Sequence, residues 1–291
     1  MSNSYTDFAI VYDELMDNVP YEEWCEKISE TIDKYGISKR VERDLSEAEA
    51  ADDYLEAGGT QETSDAELTE SEKLESERNL VVDLGCGTGT LTEMLYDCGF
   101  DMIGIDCSED MLQVAMEKRE ESGSDILYLN QDMRELELFS TVGTVVSVCD
   151  SLNYILKEDE LGKVFDLVHN YLYPGGLFIF DFNTDYKYRE AIGNRTIAEN
   201  REDCSFIWEN EYDEKSGVNE YDLTFFVMDD DGRFDRFEET HYQRGYTAEA
   251  IRKMLEGAGF DLIEMSDSES GEDIRKDSQR IYVVAKCLKD M

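Results

Sequence analysis

The chain is poor in the residues that bind metals or staple small folds. Two histidines, His169 and His241, stand far apart in 291 residues, and seven cysteines, an odd number, include no C-x-x-C pair. That usage argues against a zinc centre and a disulfide scaffold, and fits a reducing compartment; no metal is expected. Positive charge is scarce too. Lys and Arg total 27 against 70 Asp and Glu, a formal net charge of −43. Such a field repels phosphate backbones and anionic membranes, so nucleic acid and membrane are unexpected partners. No apolar run approaches the roughly 20 residues of a spanning helix. The opening MSNSYTDFAIVYDELM lacks the basic and apolar regions of a secretory leader. The expectation is a soluble, cytoplasmic, acidic protein, monomer or homodimer. Core material is ample: 41% of residues are hydrophobic and 11% aromatic.

Composition divides the chain. Residues 42–77 hold 14 Asp and Glu against Arg43 and Lys73. Their apolar residues are too sparse for a core, so the stretch reads as an acidic insertion, mobile or partly helical on the surface. Residues 1–41 read as an N-terminal helical lid. Over 78–204, strands at 79–84, 101–106, 126–132, 144–150 and 177–182 alternate with helices at 88–98, 108–121 and 158–172. Near-continuous apolar strands separated by such helices indicate a parallel sheet covered on both faces. The period then changes to two. SFIWENEYD, VNEYDLTFFVMDD and RFDRFEETHYQR, within 205–246, alternate apolar and polar residues as an antiparallel meander does. Residues 247–291 resume the first rhythm with a helix from Thr247 and the strands GFDLIEM and RIYVVAKC. The expected fold is α/β: a doubly wound, mostly parallel, seven-stranded Rossmann-like sheet, with an inserted antiparallel substrate-side sheet and a helical lid.

The stretch VVDLGCGTG at 81–89 is the first strand-to-helix turn, where doubly wound sheets bind ligands. Gly85 and Gly87 remove Cβ atoms where a ligand must approach the main chain. The spacing is G-x-G-x-G, and Thr90 stands where a dinucleotide fingerprint requires Gly or Ala. Asp83, just before the glycines, can accept from an ammonium group. Asp106 ends the second strand, where a carboxylate takes both ribose hydroxyls. Asp132 and Met133 offer an acceptor for an exocyclic adenine amine and an apolar contact for its ring. Ammonium, ribose and adenine without a pyrophosphate cradle describe S-adenosylmethionine better than NAD.

VVDLGCGTG, GIDCSEDML, NQDMREL, VVSVCDSLNYI and PGGLFIFDFNT resemble the successive motifs of class I S-adenosylmethionine-dependent methyltransferases, over about 79–290. YTDFAIVYDELMDNVPYEEW and THYQRGYTAEAIRKMLEGAGF resemble the small-molecule branch, with its glycine N-methyltransferase-like enzymes and deoxysugar N-methyltransferases. The acidic stretch 42–77 departs from that group. The resemblance implies that Asp83, Gly85, Cys86 and Gly87 hold the methionine moiety and Asp106 the ribose. Cys107 and Met111 would lie against the adenine, with Asp132 and Met133 at its edge. Cys149 would sit under the sulfonium and Asp150 would face the acceptor. Tyr12, Tyr21 and Trp24 would belong to a lid folded over the cofactor, and S-adenosyl-L-homocysteine would be the product.

Methyl transfer from a sulfonium needs alignment more than acid–base help. His241 is the best candidate base, with a packing or surface histidine as the alternative; His169, in FDLVHNYLY, reads as structural. Asp150 reads equally as base, amine anchor or turn cap, and Tyr12 as a substrate contact or a packing residue. The CDSLNY after the fourth strand is not the Asn/Asp-Pro-Pro-Tyr of adenine- or glutamine-modifying enzymes. A small-molecule acceptor with an N or O nucleophile is expected. The alternatives are a tRNA or protein methyltransferase and a cofactor-binding protein without transferase activity.

Overall fold

A computed structural model describes residues 9, 12–13, 19–41, 69–229 and 231–289. Residues 42–68, most of the expected acidic insertion, lie outside that set. In chain order the main elements are α1 (Tyr21–Tyr35), α2 (Glu70–Asn79), β1 (Leu80–Leu84), α3 (Thr90–Asp97), β2 (Asp101–Asp106), α4 (Glu109–Ser122), β3 (Leu127–Asn130), β4 (Val142–Ser147), α5 (Glu158–Tyr171) and β5 (Leu172–Asn183). A four-stranded group follows: β6 (Thr196–Asn200), β7 (Cys204–Asp213), β8 (Val218–Met228) and β9 (Phe234–Arg244). The chain then returns through α6 (Ala248–Ala258), β10 (Phe260–Asp267) and β11 (Arg280–Cys287).

The large sheet has the order β10-β11-β5-β4-β1-β2-β3. The five strands β1 to β5 are mutually parallel, and β11 and β10 join antiparallel. Because β2 and β4 flank β1 on opposite sides, the carboxyl ends of β1 and β4 form the topological switch point. Side chains alternate between two cores. Val82 and Leu84 join Phe165, Phe178 and Phe180 on one face, while Val81 joins Leu91, Leu95 and the α1 residues Cys25, Ile28 and Ile32 on the other. The lid helix therefore forms part of the second layer through an apolar stripe at helical spacing. Its Cys25 Sγ lies 3.5 Å from Cys98 Sγ.

The end of the acidic stretch is helical on the surface, one of its two expected readings: a capping box between Thr69 and Glu72 opens α2, which runs directly into β1. Two local features differ from the sequence expectation. The strand β5 begins at Leu172, so Pro174-Gly175-Gly176 lies within it, beside the irregularity between Val142 and Thr144 that tolerates a missing N–H donor. The small sheet opens with β6, whose TIAEN is exposed at every position and thus carries no alternation to read. Phe180 is fully buried, with ring centroids 4.5 Å from Phe178 and 5.4 Å from Phe165. Phe180→Ala is expected to cost about 3–5 kcal/mol, read as a shifted midpoint in urea denaturation.

Candidate active site

The turn after β1 is built around bare backbone. Gly85 has φ +85°, and a Cβ there would stand 2.6 Å from Ser151 Cβ and Oγ. Gly87 has φ +55°, but a Cβ there would meet no atom of the described residues within 4 Å. Its amide donates to Asp106 Oδ2 at 2.9 Å, and the Ser108 amide donates to Asp106 Oδ1 at 2.9 Å. These bonds hold down a carboxyl that burial pushes up. Asp83 is buried and, among the described residues, accepts a hydroxyl bond from Thr92 Oγ1 at 2.7 Å. Burial, with a smaller contribution from nearby Asp106, raises it to about 6 against that bond. Folding thus favours the protonated form: its stabilising effect is present below about pH 4 and is lost as pH rises through about 6.

At the tip of β4, Cys149 and Asp150 take left-handed backbone angles, φ 61° and 55°. Side chains with a Cβ resist that conformation by roughly 1–2 kcal/mol each. Asp181, buried on β5, accepts from both amides: Cys149 N at 3.3 Å and Asp150 N at 2.9 Å. Arg280, at the start of β11, then bridges the acids, with Nη1 2.9 Å from Asp181 and Nη2 2.6 Å from Asp150. Gln243 Nε2 donates to the other Asp150 oxygen at 2.7 Å. Both oxygens of Asp150 are thereby engaged, which suits a positioning group better than a free base.

The lid and the small sheet meet over these tips. Trp24 lies against the Arg280 guanidinium, 5.4 Å from ring centroid to Cζ, and Tyr21 meets Trp24 edge-on. Burial raises the Tyr21 phenol, with Cys149, Asp13, Asp83 and Asp150 the charges around it. Burial pushes the Cys149 thiol up to about 12, against a hydrogen bond from Tyr12. Asp13 pins this segment to the glycine turn: Thr88 and Thr90 donate to it at 2.6 and 3.1 Å, and Lys118 pairs with it at 2.6 Å. From the other side, Tyr12 and Met111 pack with Phe225, Phe206, Leu223 and Phe237 of the small sheet. Asn153 ties that sheet down, donating to Asn183 O at 2.9 Å and Arg244 O at 2.7 Å.

Thus Tyr12, Tyr21, Asp83, Cys149 and Asp150 converge, with Trp24, Gly85, Gly87, Asp106 and Met111 around them. Met133 Cε lies 3.5 Å from the Gly85 Cβ position, at the same turn. The Cys86 thiol turns away towards Gly104 of β2. Asp132 and exposed Cys107 sit near Asp106 at the strand tips. The Asp132 carboxylate is already gripped by the Arg134 side chain, which keeps its carboxyl below the usual range. His241 is not open on both sides. Its Nδ1 is 3.3 Å from the Tyr154 hydroxyl, its Nε2 3.0 Å from Glu239, and its ring stacks on Tyr221 at 5.6 Å. Sequence reasoning missed Asp13, Tyr154, Asp181, Glu239, Gln243 and Arg280. An aspartate inside the apolar LFIFDFN was the one available signal, since a buried charge needs a partner.

The comparisons with known proteins agree on one family. A methyltransferase-domain family profile matches residues 81–176. A methyltransferase-family protein of Geobacillus sp. WCH70 is 31% identical over 285 residues, 97% of this chain and 99% of its own. The methyltransferase-family protein YqeM of Bacillus subtilis is 32% identical over 288 residues, 98% of both chains. Among solved structures, an S-adenosylmethionine-dependent methyltransferase from Clostridium acetobutylicum aligns with a TM-score of 0.68 at 28% identity, covering 85% of this chain and all of that one. The chain belongs to the S-adenosylmethionine-dependent methyltransferase family.

For a methyltransferase of this kind the residues present fit the cofactor. The open side of Gly87 gives room against the main chain, and the Asp106 oxygens retain lone pairs beyond those used by two amides. Among the described residues no helix is long and apolar enough to cross a membrane, and no cluster of His, Cys, Asp and Glu could hold a metal. Arg280→Met is expected to destabilise the methyltransferase by about 3–5 kcal/mol, because it leaves buried Asp181 and partly buried Asp150 without their ion-pair partner. Chemical denaturation measures that loss, and Arg280→Lys should recover part of it.

Proposed function

We propose that this methyltransferase transfers the methyl group of S-adenosylmethionine to an N or O nucleophile of a small molecule held between the β4 tip and the small sheet, in the cytoplasm. The observation that carries the reading is the bare, open main chain at Gly87, with Asp83 and Asp106 on either side of it. Asp106 would receive the ribose hydroxyls and Asp83 the ammonium of the methionine moiety. Met111 and Met133 would contact the adenine, with Cys107 and Asp132 at its rim. Cys149 would lie beneath the sulfonium. Bound S-adenosylmethionine supplies a methyl group already activated as an electrophile. The protein's part is then alignment, which can lower a barrier by roughly 7–11 kcal/mol.

Tyr12, Tyr21 and Trp24 would close the cofactor from water, held by the Asp13 contacts to the glycine turn. Where the acceptor must lose a proton, the path runs from the Tyr154 hydroxyl to His241 Nδ1. Glu239, 3.0 Å from Nε2, orients the ring so that Nδ1 faces the Tyr154 hydroxyl. Asp150 would set the shape of this wall through Arg280 and Gln243. The small sheet packs on Tyr12, and a net charge of −43 repels phosphate backbones; both favour a small molecule over RNA.

Calorimetry tests the cofactor reading. Asp106→Ala is expected to weaken S-adenosylhomocysteine binding at least tenfold with the melting temperature little changed; unchanged affinity would overturn the ribose assignment. Asp83 must be ionised to hold an ammonium group, and it titrates at about 6. Affinity should therefore be flat above that pH and fall up to tenfold per unit below it. Asp83→Asn should bind weakly and lose that dependence. NADH should produce no thermal shift.

A further inference from the structure

The inner face of the small sheet carries one carboxylate in an apolar setting. Strand register puts Phe206 and Trp208 of β7, Leu223 and Phe225 of β8, and Phe237, Glu239 and His241 of β9 on the side that meets the lid and Asp150. Glu239 stands directly opposite Leu223, between Phe237 and His241 along its own strand. Its side chain is 7% exposed. One oxygen accepts from His241 Nε2 at 3.0 Å, whereas Oε1 has no hydrogen-bond partner among the described residues.

A buried acceptor left unsatisfied loses its hydration with nothing in return, and the loss is larger when the group is charged. Nothing in the sheet requires that expense, since a leucine or valine would pack against Leu223 without it. The neighbouring cations are committed elsewhere. Arg280 bridges Asp150 and Asp181, Arg244 pairs with Glu158, and Arg236, on the opposite face of β9, pairs with Glu238. A half-satisfied carboxylate on the acceptor side of a methyltransferase site points to a missing cation.

We propose that Glu239 is the anchor for an ammonium group on the methyl acceptor, which makes the acceptor class an apolar or aromatic amine. The proposal rests on the methyltransferase reading above. The ammonium would bond Oε1, while the apolar part lies along Leu223, Trp208 and Phe225. Cation-to-carboxylate bonding in a water-poor setting is among the stronger polar contacts, and the hydrophobic neighbours limit competition from solvent.

The test uses the full chain saturated with S-adenosylhomocysteine and two probes of matched shape, 2-phenylethylamine and 2-phenylethanol, by calorimetry. The amine is expected to bind at least tenfold more tightly than the alcohol. In Glu239→Gln that preference should fall to twofold or less, with S-adenosylhomocysteine affinity unchanged and the melting temperature no lower than wild type. Glu239→Asp should keep part of the preference. An equal preference in the Gln variant, no amine binding to wild type, or a lowered melting temperature would each overturn the proposal, the last by marking Glu239 as a structural residue. Failure of S-adenosylhomocysteine itself to bind would instead strike the reading beneath it.

Discussion

The ion cluster of Asp150, Arg280 and Asp181 sets the geometry on which the rest of the site depends. Three strands that are distant in sequence contribute to it: the exit of β4, the carboxyl end of β5 and the start of β11. A buried guanidinium between two carboxylates gives little net stability, because desolvation offsets most of the attraction. Its effect is positional. Asp181 accepts from two consecutive amides at the β4 tip and holds Cys149 and Asp150 in a left-handed turn they would otherwise leave. Through Asp150 the same cluster reaches Gln243, and through Arg280 it reaches Trp24. Roof and lid are therefore registered on one charged group.

That arrangement explains why strain is tolerated here and nowhere else among non-glycine described residues. Two left-handed residues cost energy that a plain turn would avoid. What they achieve is to turn the chain sharply under the β1 loop, so that Ser151 can donate to Gly85 O at 3.1 Å. The same turn explains Gly85, since a methyl group there would collide with Ser151. Gly87 differs, with no atom of the described residues in the space its Cβ would enter. One glycine answers packing inside the protein, and the other leaves room for something outside it.

The parts legible in the sequence were those written in local pattern. Apolar strands between amphipathic helices gave the parallel sheet, the change of period at SFIWENEYD gave the small sheet, and G-x-G-x-G gave the loop. The strip TIAEN was illegible because both faces of β6 are exposed, so no alternation marks it. Site residues from one segment, such as Asp83 with Gly87, could be read together. Those joined across about a hundred positions could not: Arg280 meets Asp150 and Asp181 only after β11 inserts beside β5. Glu239 was hidden for a related reason. In FDRFEETHYQR it is one acid among several, and only the register of β9 separates it from solvent-facing Glu238.

This difference bears on how the charge of −43 should be understood. Most of the carboxylates on the described residues face water, where screening confines their influence to about 8–10 Å at ordinary salt. They say little about what the site binds. The buried acids carry the information, because each must have its environment arranged. Asp150 and Asp181 share Arg280, Asp106 takes two amides, and Asp83 takes one hydroxyl at the cost of a raised pKa. Ordered this way, the acids run from fully compensated to progressively less so, and Glu239 retains an oxygen with no described partner. The fold finds protein partners for both oxygens of Asp150 and of Asp106, so it has the means to do the same for Glu239. That it stands unsatisfied on the face towards the acceptor is why its complement is sought outside the chain.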